Sequence, residues 1–485
     1  MTTPLHPARP RAQQAGALCA ALLALAALTG CADMSGIAPQ ARLRDGATLG
    51  LPAGARFEAP EDWWRGFGDA RLNALIAQAL ADNPALAQAQ ARIARAQAFA
   101  ETAHAAQGPQ LNAGLDYTRQ RYSANGLYPP GVAGATIGVE TARLTGSWEL
   151  DFFGKNRAAL QAALGQAQAA QADAQAARLL LASRVAQAYF QLARLQAQLA
   201  VAERTLAQRT ELLRLVHGRV NAGLDTHLEL RQSEGALPEA RQQIEALREQ
   251  QALTRNALGA LLAQPDAAQT LDAKALETIN PVVTPAQLPA DLLGRRPDVA
   301  AARWRVEAAT QDMAVARAQF YPNVSLTAFA GLSSISLDRF AQAGSREWGL
   351  GPALRLPLFD SGRLRANLRG KAADLDAAVE SYNAALLDAV HDAADQLASG
   401  AAIARQVAEQ RQAGAAAEDA YAIARRRYEA GLANYLQVLS AETQVLAQRR
   451  QAVDLAARRL DNQVAMLRAL GGGYAAPAPA AVARQ

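Results

Sequence analysis

A mainly α-helical chain with a small membrane β-barrel, made of two tandem repeats of long heptad helices plus a β-hairpin, is the fold class predicted here. Internal duplication, long seven-residue leucine stripes and short runs of strict alternation predict it. Asn83-Pro84-Ala85-Leu86 pairs with Arg296-Pro297-Asp298-Val299, and Gly108-Pro109-Gln110-Leu111 with Tyr321-Pro322-Asn323-Val324, at one common offset. Gly154-Lys155-Asn156-Arg157-Ala158 pairs with Gly362-Arg363-Leu364-Arg365-Ala366, and Arg219 to Leu224 with Arg427 to Leu432, at a second, slightly shorter offset. Four anchors in the same order mark a duplicated unit with a longer loop in its first copy. The composition agrees. Aromatic residues are only 5% of 485, against 51% hydrophobic residues, which suits long helices better than one large mixed core.

Taken in order, the chain opens on an address. Arg9 and Arg11 precede an apolar stretch from Ala15 to Leu28 without an acidic residue, the pattern of a secretory signal. Leu28-Thr29-Gly30-Cys31 resembles a bacterial lipobox. That resemblance implies cleavage before Cys31, a diacylglycerol thioether on its sulfur and acylation of the new N-terminus, with Ala32 directing the protein to the outer membrane. Cys19 lies in the signal, so an internal disulfide and cysteine catalysis are excluded from the mature chain. The formal charge of +5 includes the two leader arginines, and so mild a balance gives little support to nucleic-acid binding.

The strands come where the period falls to two. Ala142, Leu144, Gly146, Trp148 and Leu150 alternate with Thr141, Arg143, Thr145, Ser147 and Glu149. Leu111, Ala113, Leu115 and Tyr117 oppose Asn112, Asp116 and Thr118. In the second half Val324, Leu326, Ala328, Ala330 and Leu332 alternate with Ser325 and Thr327. Trp348, Leu350, Pro352, Leu354, Leu356 and Leu358 alternate with Gly349, Gly351 and Arg355. Each run is long enough to cross a bilayer as a tilted strand. The helices carry Leu192, Leu199, Leu206, Leu213 and Val220, then Leu230, Leu237, Ile244 and Leu258 with Gln251 breaking the series, then Leu439, Leu446, Val453, Leu460 and Leu467. Such stripes predict coiled-coil packing. One helix from Lys155 to Ala222 rises roughly 100 Å, more than a compact domain holds. Pro238 predicts a kink near the start of the following helix.

An open sheet in lipid leaves edge amides unsatisfied, so four strands must close by association with other chains. Two chains give eight strands and three give twelve; the larger ring leaves room for a passage, and Gly349 and Gly351 favour it weakly. Physics alone leaves the number open.

The chain resembles the outer membrane factors, the TolC-like efflux outer-membrane lipoproteins of the NodT type. The matching segments are Trp63-Trp64-Arg65-Gly66-Phe67-Gly68-Asp69, Leu293 to Val299, Ala318 to Pro322, Leu356 to Gly362 and Arg427 to Leu436. The resemblance implies a homotrimer with a 12-strand β-barrel in the outer membrane and a 12-helix α-barrel in the periplasm. It implies a passive duct in tripartite efflux, or type I-like export, carrying drugs or other toxic small molecules. The partners would be a periplasmic adaptor, an inner-membrane pump of the RND type and outer-membrane lipid. The implied division is a signal at 1–30, a lipidated belt segment at 31–70, a first repeat at 71–263, a connector at 264–290, a second repeat at 291–470 and a flexible tail at 471–485. Strands are expected at about 110–122, 136–152, 322–333 and 346–359, and long helices at about 155–222, 225–263, 362–430 and 433–470.

No catalytic, phosphate-binding or metal motif appears, so no enzyme, cofactor or metal is expected beyond the lipid on Cys31. Energy must come from the pump. Gly223 and Gly431, between long helices, suit left-handed helix ends. The resemblance makes these turns the periplasmic tip that gates the duct and docks the adaptor. Arg219, Gly223, Leu224, Asp225, Glu229, Arg427, Tyr428, Gly431, Leu432 and Gln437 are its candidate residues, Tyr428 holding the tip shut. The family's acids past the second turn are absent at Ala433, Gln437 and Ser440, so Asp225 and Glu229 are expected to supply pore charge instead. His217 and His227 bracket the first turn as two solvated side chains, or as a pH sensor or metal ring. An adaptor lipoprotein would have one hairpin with β-rich domains, and a lipid-anchored coiled coil would leave the strands unexplained.

Overall fold

In a computed structural model, the structure describes residues 33–44, 59–282, 285 and 292–475. The signal, Cys31, and parts of the belt segment, the connector and the tail lie outside the described residues. The helices are α1 (Ala70–Asp82), α2 (Pro84–Ala105), α3 (Lys155–Asn221), α4 (His227–Leu261), α5 (Leu292–Arg295), α6 (Pro297–Ala318), α7 (Arg363–Glu429) and α8 (Tyr435–Ala469). The strands are β1 (Gln110–Arg121), β2 (Thr136–Leu150), β3 (Asn323–Ser334) and β4 (Arg346–Arg355). Within the described residues no helix is long and apolar enough to cross a membrane.

Two compact units divide these elements. One holds residues 94–168 and 303–381 with the described part of the first 42, and the other holds the described parts of 43–93, 169–302 and 382–485.

The first unit contains the sheet, antiparallel throughout in the order β1-β2-β3-β4. Its register aligns residues of one kind in rows. Ala113, Leu144, Ala330 and Trp348 form an apolar row, and Asn112, Thr145, Phe329 and Gly349 a row on the opposite face. The large apolar side chains of the first face stay exposed in the single chain, with Trp348 at 81% and Leu115 at 78%. A sheet with one bare apolar face and one polar face has burial still to complete.

The alternation in β4 overstates its length. Pairing stops at Asn323↔Arg355, so Leu356 and Leu358 fall outside the strand. Pro322 and Pro357 flank that last pair, and neither has an N–H for another rung. Beyond the sheet, α3 and α7 each begin on a carboxylate cap. Asp151 accepts from the N–H groups of Asn156 (3.2 Å) and Arg157 (2.8 Å). Asp360 accepts from Gly362 (3.0 Å) and Leu364 (2.9 Å). Such caps satisfy amides that a helix start leaves free.

The second unit contains the main core, where Trp63, Phe67, Leu72, Ile76, Tyr189, Phe190, Leu258, Leu460 and Leu467 are buried together. Asp69 caps α1 through the N–H groups of Arg71 and Leu72, and accepts from the Tyr189 hydroxyl at 2.6 Å. Heptad leucines meet as expected: Leu199 and Leu206 of α3 pack around Ile244 and Leu247 of α4. Gln251 does not break that seam, because it is buried and its amide donates to the Leu195 carbonyl at 3.2 Å. α4 continues past Pro238, although this interior proline has no N–H for an i→i−4 bond.

Candidate functional site: the paired interhelical turns

α3 passes to α4, and α7 to α8, through turns of one design. Gly223 and Gly431 both have φ +72°, where a side chain on Cβ is strongly disfavoured. Leu224 N–H bonds to Arg219 carbonyl at 2.8 Å and Gly223 N–H to Val220 carbonyl at 3.0 Å. In the second turn Leu432 N–H bonds to Arg427 carbonyl at 2.8 Å and Gly431 N–H to Tyr428 carbonyl at 3.0 Å. These paired bonds are the Schellman closure that glycine permits.

The following helices begin on matched caps. Thr226 and Glu229 form a reciprocal capping box, with Thr226 N–H donating to Glu229 Oε2 at 2.9 Å. Hydrogen bonds from Thr226 hold the Glu229 carboxyl below its ordinary range. At the equivalent place Asn434 Oδ1 accepts from Gln437 N–H at 3.1 Å. Glu229 and Gln437 therefore serve their helix starts.

Side chains then join the turns. Tyr428 is fully buried beside Tyr421, Tyr435, Val216 and Leu230, and its hydroxyl donates to Asp225 Oδ2. Arg219 grips the same carboxylate with two bonds, Nε at 2.9 Å and Nη2 at 3.2 Å. Its Nη1 donates to the Tyr428 carbonyl at 3.2 Å, and its guanidinium lies 4.6 Å from that ring's centre. Burial pushes the Asp225 carboxyl up, but the bonds from Arg219 and Tyr428 outweigh it and hold it below the usual range. Burial and the bond to Asp225 push the Tyr428 phenol well above its ordinary value.

Asp225 is thus not the free pore carboxylate expected from the sequence. Its side chain is 9% exposed and committed to Arg219 and Tyr428. Among the described residues Arg427, which matches Arg219, makes only an exposed 3.5 Å contact with the Leu432 carbonyl. His217 meets Asn221 at 3.2 Å, and His227 stays exposed on the other side of the turn.

Two features escaped the sequence reading. Leu224 and Leu432 are exposed at 65% and 70%, as expected of turn residues, but so are Leu228 and Leu436 one helical turn on, at 63% and 64%. Their equivalent positions in the duplication carry that signal. The second is an ion pair farther along the hairpins, where Arg209 Nε lies 3.2 Å from Glu442 Oε2, a carboxylate only 2% exposed. Neither residue has a spacing that announces it.

The family model for the outer membrane efflux protein matches residues 75–264 and 288–472, one stretch in each half of the duplication. The chain belongs to the outer membrane efflux protein family. It is 39% identical over 367 residues to the fusaric acid resistance protein FusA of Burkholderia cepacia, spanning 73% of this chain and 69% of that protein. It is 34% identical over 419 residues to the outer membrane protein OprJ of Pseudomonas aeruginosa, spanning 85% and 86%. The crystal structure of the outer membrane protein VceC of Vibrio cholerae superposes with a TM-score of 0.81 at 36% identity, covering 86% of this chain and all of that one. The protein is an outer-membrane channel component of an efflux system and not an enzyme.

Proposed function

We propose that three copies of this chain close a 12-strand barrel and a 12-helix tunnel, forming a passive duct for small toxic molecules. The observation that carries this reading is the four-stranded sheet. Its apolar face is bare, and β1 and β4 have outer edges unpaired among the described residues. In lipid each unpaired amide costs several kcal/mol, and only closure removes both edges. Twelve strands leave a passage where eight would fill with side chains. The relatives' names speak of fusaric acid resistance, multidrug resistance and toluene efflux, which supports apolar or aromatic cargo.

The paired turns form the tip in this reading. Exposed Leu224, Leu228, Leu432 and Leu436 dock the helical hairpin of a periplasmic adaptor, and the adaptor couples the duct to an inner-membrane pump of the RND type. The Tyr428–Asp225–Arg219 contact holds the two turns together and restrains opening. Cys31 carries the lipid anchor, and no cofactor takes part.

Heat-modified gel mobility and particle mass in detergent test the assembly. A species of three chains that conducts in planar bilayers is expected; a conducting particle with the mass of one chain contradicts it. Mass spectrometry of the mature N-terminus is expected to find Cys31 acylated, and an unmodified cysteine removes the anchor.

A further inference from the structure

The polar face of the sheet carries one built cluster. Arg143 of β2 and Glu347 of β4 flank Gly331 of β3 in a single cross-strand row. With no side chain between them, the two long residues meet: Arg143 Nε and Nη2 reach Glu347 Oε1 at 2.9 and 2.5 Å. In the next row Phe329 lies across Gly349, where an added Cβ would sit 2.5 Å from the ring. The Arg143 guanidinium lies 4.6 Å from that ring's centre. Phe329 is the only aromatic residue on this face of the described strands.

Stability alone is a weak account of the cluster. The two charged side chains keep 42% and 30% of their exposure, and such pairs contribute about 0–1 kcal/mol. A fixed charge in a narrow aqueous passage acts more strongly, because low-dielectric walls focus its field.

We propose that the Arg143–Glu347 pair, joined across Gly331 with Arg143 over the Phe329 ring, sets the charge selectivity of the duct within the barrel. The proposal rests on the reading that the polar face lines the passage. Paired, the two charges cancel, so the pair adds no net charge to the face beside Phe329. Removing either partner leaves one uncompensated charge per chain facing the solute, and the sign of the preference follows the residue that remains.

Thr145 lies in the Phe329 row, two residues from Arg143 on the same face, and serves as reporter. The full-length Thr145→Cys protein in intact cells is treated from outside with an anionic and a cationic methanethiosulfonate. The parent protein supplies the background rate, and Leu144→Cys, on the opposite face, is expected to stay unreactive. Adding Glu347→Gln is expected to raise the anionic-to-cationic rate ratio about fivefold, and Arg143→Gln to lower it by a similar factor. The exchanged pair, Arg143→Glu with Glu347→Arg, is expected to return it to within about twofold of the original. A reactive Thr145→Cys whose ratio ignores both single changes overturns this inference and leaves the duct standing. A Thr145→Cys unreactive to both reagents shows that the face is not aqueous, and overturns the lining and the inference together.

Discussion

The turn between α3 and α4 and the turn between α7 and α8 share a backbone and differ in chemistry. Both have glycine at φ +72°, the same pair of closing hydrogen bonds and a side-chain cap on the next helix. Yet Asp225 in the first is matched by Ala433 in the second, and Val220 by Tyr428. The duplication preserved what the backbone requires. Its divergence produced a carboxylate in one repeat and a phenol in the other, which bond across the repeats as two identical turns could not. The arginine that completes the contact occurs in both repeats, and among the described residues only Arg219 of the two has a carboxylate to hold.

The largest departure should follow removal of that carboxylate. Asp225→Ala leaves a guanidinium only 12% exposed without its partner, a loss on the order of 3 kcal/mol. Planar-bilayer recordings should show a marked rise in basal conductance, with trimer mobility on gels unchanged. Acid should reproduce this reversibly. A carboxyl held below its ordinary range stabilises the contact fully above the unfolded value, near pH 4, and loses that contribution as pH falls through the lower folded value. Conductance should therefore be flat from pH 7 to about pH 4 and rise below it, and Asp225→Ala should abolish the rise.

Gly431→Val comes next. A β-branched residue at φ +72° costs about 1–3 kcal/mol; a Cβ at Gly431 would make ordinary contact with Arg219 Nη1 at 3.7 Å, leaving less room there for the valine methyls beyond it. Gly223 has open space around its Cβ position, so Gly223→Val should lose less export in an efflux assay. Equal losses would mean that backbone strain alone matters. Tyr428→Phe removes a bond to a charged group, about 1.5 kcal/mol, and should raise conductance less than Asp225→Ala. Smallest is Ala433→Asp, which offers a carboxylate to the exposed Arg427. An exposed pair contributes about 0–1 kcal/mol, so basal current should not change.

The shared part of the two turns was legible in the sequence because glycine and the heptad stripes leave marks at fixed spacing. Strand faces were legible for the same reason, from Leu144 and Arg143 to Trp348 and Gly349. The end of β4 was not. Alternation continues through Leu356 and Leu358, but a strand also needs a partner, and Pro322 ends the neighbouring one. The bonds that commit Asp225 were not legible either. Past the turn it looks like a pore carboxylate, whereas its partner Tyr428 lies 203 residues away, and no local pattern joins them. Arg209 and Glu442 were invisible likewise, since each is an ordinary polar residue on a long helix until folding buries the pair.

A double-mutant cycle on Asp225 and Tyr428 tests most directly whether the two turns are coupled. Single-channel recordings would compare the parent, Asp225→Ala, Tyr428→Phe and the double variant under one set of conditions. With the carboxylate gone, the phenol has lost its partner, so the double variant should open like Asp225→Ala alone. Additive increases, or a parent-like current in both single variants, would contradict the coupling and leave Asp225 and Tyr428 as separate packing residues in two ordinary helix ends.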